Sequence, residues 1–179
     1  MAIQSMAVFC GSKNGNSRLF TEDAKRLGFL LAEKNITMIY GGGNSGLMGS
    51  VANAVLEKAG KVIGIIPKLL TEWEVQHENI TELTVTEDMH SRKKLLYEKC
   101  DAAIILPGGV GTMDEFFEML TWNQLSIHNK KIFLLNTAGF YDSLLAHIDK
   151  MQQEGFLYQH TEKRIIVLLS VNELEEYLN

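Results

Sequence analysis

Cysteine, proline and long apolar runs are all scarce in this 179-residue chain, and each scarcity excludes a class of protein. Two cysteines, Cys10 and Cys100, are too few for a disulfide scaffold, and both lie in or beside apolar runs. We therefore predict buried, reduced thiols rather than a disulfide or a nucleophile. No run approaches the roughly 18 apolar residues that a transmembrane helix needs. The first twelve residues lack a basic segment and a long apolar stretch, which predicts a first strand rather than a signal peptide.

Basic residues are fewer than acidic residues. The chain has 17 Lys and Arg against 22 Asp and Glu, a net charge of −5, and a pI near 5.5. A dedicated nucleic-acid binder normally has a basic face, so we expect no nucleic-acid partner. We expect no membrane partner either, and a cytoplasmic location. A hydrophobic content of 46% and a charged content of 22% are ordinary for a folded protein, and the length suits one domain over 1–179.

Short apolar runs alternate along the chain with longer amphipathic segments. Two of the runs, at 102–106 and 132–135, are apolar on both faces, as in a parallel sheet that helices cover on both sides. The pattern predicts an α/β fold with a single doubly wound, Rossmann-like parallel sheet and helices on both faces. The predicted strands are 6–10, 37–40, 62–66, 83–86, 102–106, 131–136 and 165–168, and the predicted helices are 18–34, 47–59, 90–99, 112–125, 141–153 and 171–178.

Many of the 15 glycines fall in loops that follow predicted strands. Gly11 follows the first strand, a glycine-rich run at 41–49 follows the second, and a Pro-Gly-Gly-Val-Gly-Thr run at 107–112 follows the strand at 102–106. In a parallel sheet all three loops leave the same edge, where ligands bind in open α/β folds. Glycine lets backbone N–H groups approach an anion, and a helix N-terminus adds partial positive charge. Any one loop is also explained as a tight turn, but three together favour a site for a phosphorylated small molecule.

Motifs of other nucleotide and catalytic sites are weak or missing in the sequence. Gly41, Gly43 and Gly46 match the dinucleotide fingerprint in spacing, yet they follow the second strand, and the third strand ends without an acidic residue for a ribose. No P-loop, CxxC, HExxH or Gly-x-Ser-x-Gly pattern occurs, and the five histidines lack metal-ligand spacing. We therefore expect no metal site.

Charged residues lie beside two of these segments. Asp114 and Glu115 open the helix after the third loop, and Glu118 shares a helix face with Glu115. Acids in a first turn also complement the helix dipole, but a carboxylate near a bound sugar suits chemistry that passes through an oxocarbenium-like state. A basic run at 92–94 begins the helix at 90–99, where cations oppose the dipole. That run is either a solvated face or a sign of a nearby anion.

Four segments together resemble the LOG family of cytokinin riboside 5′-monophosphate phosphoribohydrolases. The run at 107–115 is similar to the family's PGGxGTxxE motif, and 89–93 to its MHxRK segment. The run at 41–49 resembles its GGGxxGLMG loop, and 121–128 resembles its TWxQLGIH stretch, with Ser126 where glycine is usual. The resemblance extends from about residue 7 to 178. It implies hydrolysis of the N-glycosidic bond of a nucleoside 5′-monophosphate, such as AMP or an N6-modified, cytokinin-type AMP, to free base and ribose 5-phosphate.

The resemblance also implies roles for particular residues. Arg92 and Glu115 correspond to the catalytic pair of the family. Substrate-binding positions carried over from it are Glu74, Lys93, Gly108, Gly109, Val110, Gly111, Thr112, Met113, Asp114 and Thr121, together with Gly42 and Gly43 of the second glycine loop. No cofactor or metal is implied, and a homodimer that uses the region of Trp122, Leu125 and Ile127 is expected.

Two alternatives stay open at this point. One is a module that binds a nucleotide or the molybdenum cofactor without hydrolysing it. The other is the lysine decarboxylase of the family's older label. That reaction normally uses pyridoxal phosphate on a Schiff-base lysine, for which the sequence offers no persuasive candidate.

Overall fold

A parallel sheet runs through the centre of the protein. The computed structural model describes residues 2–71, 76–158 and 164–178. Within these residues, seven strands form one sheet with the order β4-β3-β2-β1-β5-β6-β7, and every neighbouring pair is parallel. The strands are β1 (Ser5–Phe9), β2 (Thr37–Tyr40), β3 (Val62–Pro67), β4 (Glu82–Thr86), β5 (Ala102–Ile105), β6 (Lys131–Leu135) and β7 (Ile165–Leu168). The predicted α/β class and parallel sheet are confirmed.

Helices connect successive strands. They are α1 (Arg18–Glu33), α2 (Gly46–Glu57), α3 (Lys68–Thr71), α4 (Met89–Lys99), α5 (Val110–Gln124), α6 (Asp142–Gln153) and α7 (Val171–Leu178), with a 3₁₀ turn at Thr137–Gly139. All predicted elements are present, with ends that differ by at most two residues. The short α3 and the 3₁₀ turn were not predicted, because a single turn is too short to give a periodic apolar pattern.

Alternate residues of the central strand face the two helical layers. Met6 and Val8 of β1 lie in a buried cluster with α1, α2 and α7, whereas Ala7 and Phe9 lie in a second cluster with α4, α5 and α6. This alternation follows from the two-residue period of a strand. It explains why the predicted strands are apolar on both faces. None of the described helices is long and apolar enough to cross a membrane.

The strand order determines where a ligand can bind. The chain leaves β1 toward β2 on one side and returns to β5 on the other side of β1. Such a reversal opens a crevice at the carboxyl ends of the two strands, where open α/β sheets bind ligands. The loops after β1, β2 and β5 all leave the sheet at this edge.

Candidate active site

The three glycine loops contact one another directly. The Gly11 amide donates to the Pro107 carbonyl at 3.0 Å, and the Leu47 amide donates to the Gly11 carbonyl at 3.0 Å. A Cβ at Gly108 would lie 2.1 Å from Thr112 Oγ1 and 2.9 Å from the Gly11 amide. Residue 108 must therefore be glycine for the loops after β1 and β5 to pack together. The predicted meeting of the glycine loops at one edge of the sheet is confirmed.

Among the described residues, no side chain caps the amides in the first turn of α5. Gly109 is the N-cap of α5 and has no side chain to cap the helix, and its carbonyl accepts from the Met113 amide at 3.1 Å. A Cβ at Gly109 or at Gly111 would meet no described atom within 4 Å. Packing therefore does not require glycine at these two positions, whereas a ligand that approaches the backbone closely would. Free amides and the helix dipole favour an anion here.

A cleft of about 350 Å³ borders the same glycine loop. Its lining includes residues 11–15, Gly108 and Gly109, with Phe20, Leu47 and Phe140 forming an apolar wall. The rings of Phe20 and Phe140 meet edge to face, with their centroids 5.6 Å apart. The edge of the sheet thus offers both exposed amides and an apolar surface.

Arg92 and Glu115 form a mostly buried pair near the glycine loops. Nη2 of Arg92 lies 3.8 Å from Oε1 of Glu115, and the side chains are 9% and 14% exposed. Arg92 comes from the first turn of α4, and its Nε donates to the Ile65 carbonyl of β3 at 3.1 Å. Because guanidinium and carboxylate are both largely removed from water, each makes a stronger electrostatic interaction than it would on the surface.

Gly41 leaves the space that the Arg92 side chain occupies. A Cβ at position 41 would lie 2.3 Å from Arg92 Nη2, well inside the contact distance of the two atoms. Gly41 is not in the left-handed region, so glycine is needed here for close approach rather than for its backbone angles. The loop after β2 therefore contributes to the site by accommodating the guanidinium.

Lys93 lies in an ionic network between α4 and α5. Its Nζ is 2.6 Å from Asp114 Oδ2 and 3.1 Å from Glu118 Oε2, and the Tyr97 hydroxyl donates to Glu118 Oε2 at 2.7 Å. Burial acts to lower the pKa of Lys93, but the two carboxylates outweigh it, and the pKa is raised. Burial and Glu118 both raise the pKa of Tyr97. Lys93 is therefore a cation that is already paired with carboxylates.

Gly42 and Gly43 contact the segment that precedes β4. The Gly42 carbonyl accepts from the His77 amide at 3.0 Å, and Gly43 pairs with Gln76 in an antiparallel bridge. His77 is 2% exposed; its Nδ1 accepts from the Asn79 amide, and its Nε2 therefore donates to Asn53 Oδ1. Burial lowers the pKa of His77, which favours the neutral ring. Gly42 has a left-handed φ of 82°, which favours glycine whether or not a ligand is bound.

The structure brings most of the sequence-predicted site residues to one place. Gly108, Gly109, Val110, Gly111 and Thr112 form the loop and the first turn of α5, with Asp114, Glu115, Arg92 and Lys93 beside it. Met113 packs against the core cluster of α4, α5 and α6. Thr121 is exposed and lies nine residues beyond Thr112, about 14 Å along the helix axis. Glu74 lies outside the described residues.

Two residues that contribute to the site, Gly41 and Glu118, have no role that the sequence predicts. Gly41 stands out in the sequence only as part of a glycine run and of a weak match to the dinucleotide fingerprint, and Glu118 only as a neighbour of Glu115 on one helix face. A signal for the network was available, because Lys93 and Tyr97 are four residues apart, as are Asp114 and Glu118. Each pair therefore shares one helix face. No local pattern predicts that the two faces meet.

The cysteines and the possible metal ligands add nothing to the site. Cys10 and Cys100 are buried free thiols, as predicted, and burial raises the pKa of both. A raised pKa keeps each thiol protonated and therefore a poor nucleophile. In the described part of the chain, no three His, Cys, Asp or Glu side chains are grouped so that they could hold a metal ion.

Comparisons with known proteins agree with the motifs. The sequence model of a family described as "Possible lysine decarboxylase" matches residues 48–178. The chain is 48% identical over 162 residues to cytokinin riboside 5′-monophosphate phosphoribohydrolase LOG2 of Arabidopsis thaliana, covering 90% of this chain and 76% of that protein. It is 45% identical over 165 residues to cytokinin riboside 5′-monophosphate phosphoribohydrolase of Rhodococcoides fascians, covering 92% and 83%. The chain belongs to the LOG family.

Solved structures extend the likeness of the fold beyond this family. The molybdenum cofactor binding protein of Rippkaea orientalis superposes with a TM-score of 0.73 at 23% identity, covering 98% of this LOG-family chain and 95% of that one. The molybdenum cofactor carrier protein of Chlamydomonas reinhardtii gives 0.71 at 17% identity, covering 97% of both. At such identities the likeness shows a shared fold and nothing about ligands.

Proposed function

We propose that this LOG-family protein hydrolyses the N-glycosidic bond of nucleoside 5′-monophosphates to free base and ribose 5-phosphate. One observation carries the proposal: a buried Arg92–Glu115 pair lies beside an uncapped, glycine-rich helix N-terminus. The names of relatives that are 45% and 48% identical support the same reaction. The substrates proposed are AMP and AMP with an N6 substituent of the cytokinin type.

The 5′-phosphate binds at the first turn of α5. Amides of Gly109, Gly111 and Thr112 donate to its oxygens, and the absence of side chains at the two glycines lets the phosphate come close. Lys93 contributes less directly, because Asp114 and Glu118 already neutralise its charge. Binding at the amides fixes the ribose relative to Glu115, which follows in the same helix.

Glu115 acts on the sugar. As the bond between C1′ and the base nitrogen breaks, its electron pair leaves with the base and positive charge develops at C1′. The Glu115 carboxylate stabilises that charge and orients the water whose oxygen bonds to C1′. The water's proton is lost as the bond forms, and the departing base gains one, so that the products are a neutral base and ribose 5-phosphate.

Arg92 stabilises the negative charge that develops on the departing base. Its Nε donates to the Ile65 carbonyl, and its Nη2 occupies the space that Gly41 leaves. The guanidinium is therefore already in position, and it needs to move little when the negative charge appears on the base. The separation of 3.8 Å from Glu115 exceeds a hydrogen bond, so the two side chains attract each other without being hydrogen-bonded to each other.

The test is chromatography of the products formed from AMP and, separately, from N6-isopentenyl-AMP. Wild type is expected to release base, and Glu115→Gln or Arg92→Ala to lower kcat about a hundredfold or more, the loss that follows when electrostatic stabilisation is removed. Glu22→Gln, at an exposed carboxylate of α1, is the matched control and should behave as wild type. Near-normal activity in Glu115→Gln would contradict the assignment.

The same assay separates the alternatives. A module that binds nucleotide without turnover would retain AMP and release no base. A pyridoxal phosphate enzyme would carry a coloured cofactor on a lysine and release carbon dioxide from lysine. The ratio of the two nucleotide rates identifies the preferred base.

We also propose a homodimer in the cytoplasm, with no nucleic-acid partner. Beyond the end of α5, Leu125 and Ile127 are 58% and 60% exposed, and Ile127 also lines a groove of about 380 Å³ with Trp122 and His128. Apolar surface of this kind is typical of a protein–protein contact. Light scattering at micromolar concentration should give twice the chain mass, and Ile127→Glu should shift it toward the monomer. A monomeric wild type would contradict the proposal.

A further inference from the structure

We infer that Glu118 is a positioning residue for the proposed reaction. Through Tyr97 and Lys93 it fixes α5 against α4, and it thereby sets the distance between Glu115 and Arg92. The inference rests on the proposed function, because it assigns Arg92 and Glu115 to the chemistry.

The attraction between Arg92 and Glu115 does not by itself fix the distance between them. At 3.8 Å, Arg92 Nη2 and Glu115 Oε1 attract each other but form no hydrogen bond with a fixed direction. Arg92 is anchored on the sheet side, by Ile65 of β3. Glu115 belongs to α5, so its distance from Arg92 depends on how α5 packs against α4.

Glu118 joins the two helices one turn away from the pair. Its Oε2 accepts from the Tyr97 hydroxyl at 2.7 Å and lies 3.1 Å from Lys93 Nζ. Lys93 is the neighbour of Arg92 on α4, and Glu118 is one turn beyond Glu115 on α5. A shift of α5 that moved Glu115 would therefore stretch both contacts of Glu118.

The α4 side of this contact is rigid. Tyr97 is 1% exposed, and its ring packs against Trp122 with centroids 5.0 Å apart and against Phe9 at 6.1 Å. Lys93 is 15% exposed and Glu118 is 26% exposed, so solvent only partly screens their attraction. Asp114, the other partner of Lys93, is 56% exposed, so solvent screens its attraction more strongly.

Charge gives Glu118 a second effect on the pair. Asp114, Glu115 and Glu118 place three carboxylates within about one turn of α5. Lys93 compensates the outer two, which leaves Arg92 to face Glu115 alone. Glu118 thus shares with Asp114 the neutralisation of Lys93 at the surface of α5.

The test is steady-state kinetics of Glu118→Gln with AMP and N6-isopentenyl-AMP. Glutamine still accepts from Tyr97 but loses the charge that attracts Lys93. We expect kcat to fall about tenfold, because misplacement of a reacting group by a fraction of an ångström is costly, while KM stays within about twofold. Tyr97→Phe, which removes only the hydroxyl, should lower kcat in the same sense. Glu175→Gln, which breaks the Lys34–Glu175 pair on the other face of the sheet, is the matched control.

A double-mutant cycle distinguishes positioning from general stability. If Glu118 acts through Arg92 and Glu115, Glu118→Gln should cost less in an Arg92→Lys background than in wild type. An unchanged kcat, an equal loss in both backgrounds, or a change confined to KM and the melting temperature would overturn the inference while the wild type still released base. A wild type that released no base would overturn the proposed function, and this inference with it.

Discussion

Adding one methyl group at Gly41 is expected to disable the site while leaving the fold intact. The new Cβ would lie 2.3 Å from Arg92 Nη2, whereas ordinary contacts begin near 3.4 Å, so the guanidinium must move by 3.4 − 2.3 = 1.1 Å. The Arg92 side chain is held by Ile65 at Nε, so the displacement is concentrated at the nitrogen that faces Glu115. A misplacement of about 1 Å in a catalytic group can cost about a hundredfold, and we expect that loss of kcat in Gly41→Ala.

Stability should change little in the same variant. Residue 41 is outside the left-handed region, so alanine adopts its backbone angles without strain. The clash is with the end of a flexible side chain rather than with backbone. Alanine also lowers the entropy of the unfolded chain, which favours folding by up to about 1 kcal/mol. Urea unfolding should therefore place Gly41→Ala within about 1 kcal/mol of wild type.

The assay compares base release by Gly41→Ala in two backgrounds. In wild type the substitution should lower kcat about a hundredfold, but in Arg92→Ala it should add almost nothing, because the displaced group is gone. Equal losses in both backgrounds would show that Gly41 acts through some other contact. Near-normal kcat in the single variant would refute the steric argument altogether.

Three further variants test the stability of the fold. Ser126 has φ of 58° just after α5, so Ser126→Gly should raise the free energy of unfolding by about 1 kcal/mol in urea titration. Asp101 accepts from the Gln4 amide and from the amide and hydroxyl of Ser5, each at 2.9 Å. Burial acts to raise the pKa of Asp101, but these bonds outweigh it and lower the pKa. Asp101→Asn should cost about 1 kcal/mol at pH 7, because the carboxylate is exposed and solvent screens its charge, and wild type should lose this stability as pH falls below the ordinary pKa near 3.8. The pKa of His77 is lowered by burial, so its contribution is complete above its ordinary pKa of 6.5 and declines as pH falls below it. His77→Gln should flatten the loss of stability between pH 7.5 and 5.5 and retain the contact with Asn53. An unchanged pH dependence would show that His77 is not its source.

The fold was predictable because the apolar patterns of its strands and helices can be recognised in short stretches of sequence. Strands such as β5 and β6 are apolar on both faces, and this alone indicates a sheet covered on two sides. The start of α5 was predicted at Thr112 but is Val110, since Gly109 caps the helix without a side-chain signal. Ser126 shows the same limit: its backbone has the left-handed φ of 58° that favours glycine, but a serine in the sequence does not reveal it.

The site was predictable only in part. Arg92 and Glu115 were predicted from the resemblance, and their proximity agrees with it. The partners of Lys93 and Glu118 could not be predicted, because they lie on another helix and local sequence does not specify which helix faces meet. Gly41 is one of three consecutive glycines, and the sequence does not show that it differs from the other two. The structure does, because a Cβ at Gly41 would collide with Arg92.

The hydrogen bond between the Gly11 amide and the Pro107 carbonyl joins residues that are 96 positions apart. Contacts with so large a sequence separation form late, since the entropy of closing the intervening chain must be overcome first. The loop after β5, where we propose that the phosphate binds, is therefore assembled only after β1 and β5 have paired in the centre of the sheet. During refolding, recovery of base release should lag behind the helical signal in circular dichroism. Partly folded chains would then bind no nucleotide, and activity would report the completed sheet.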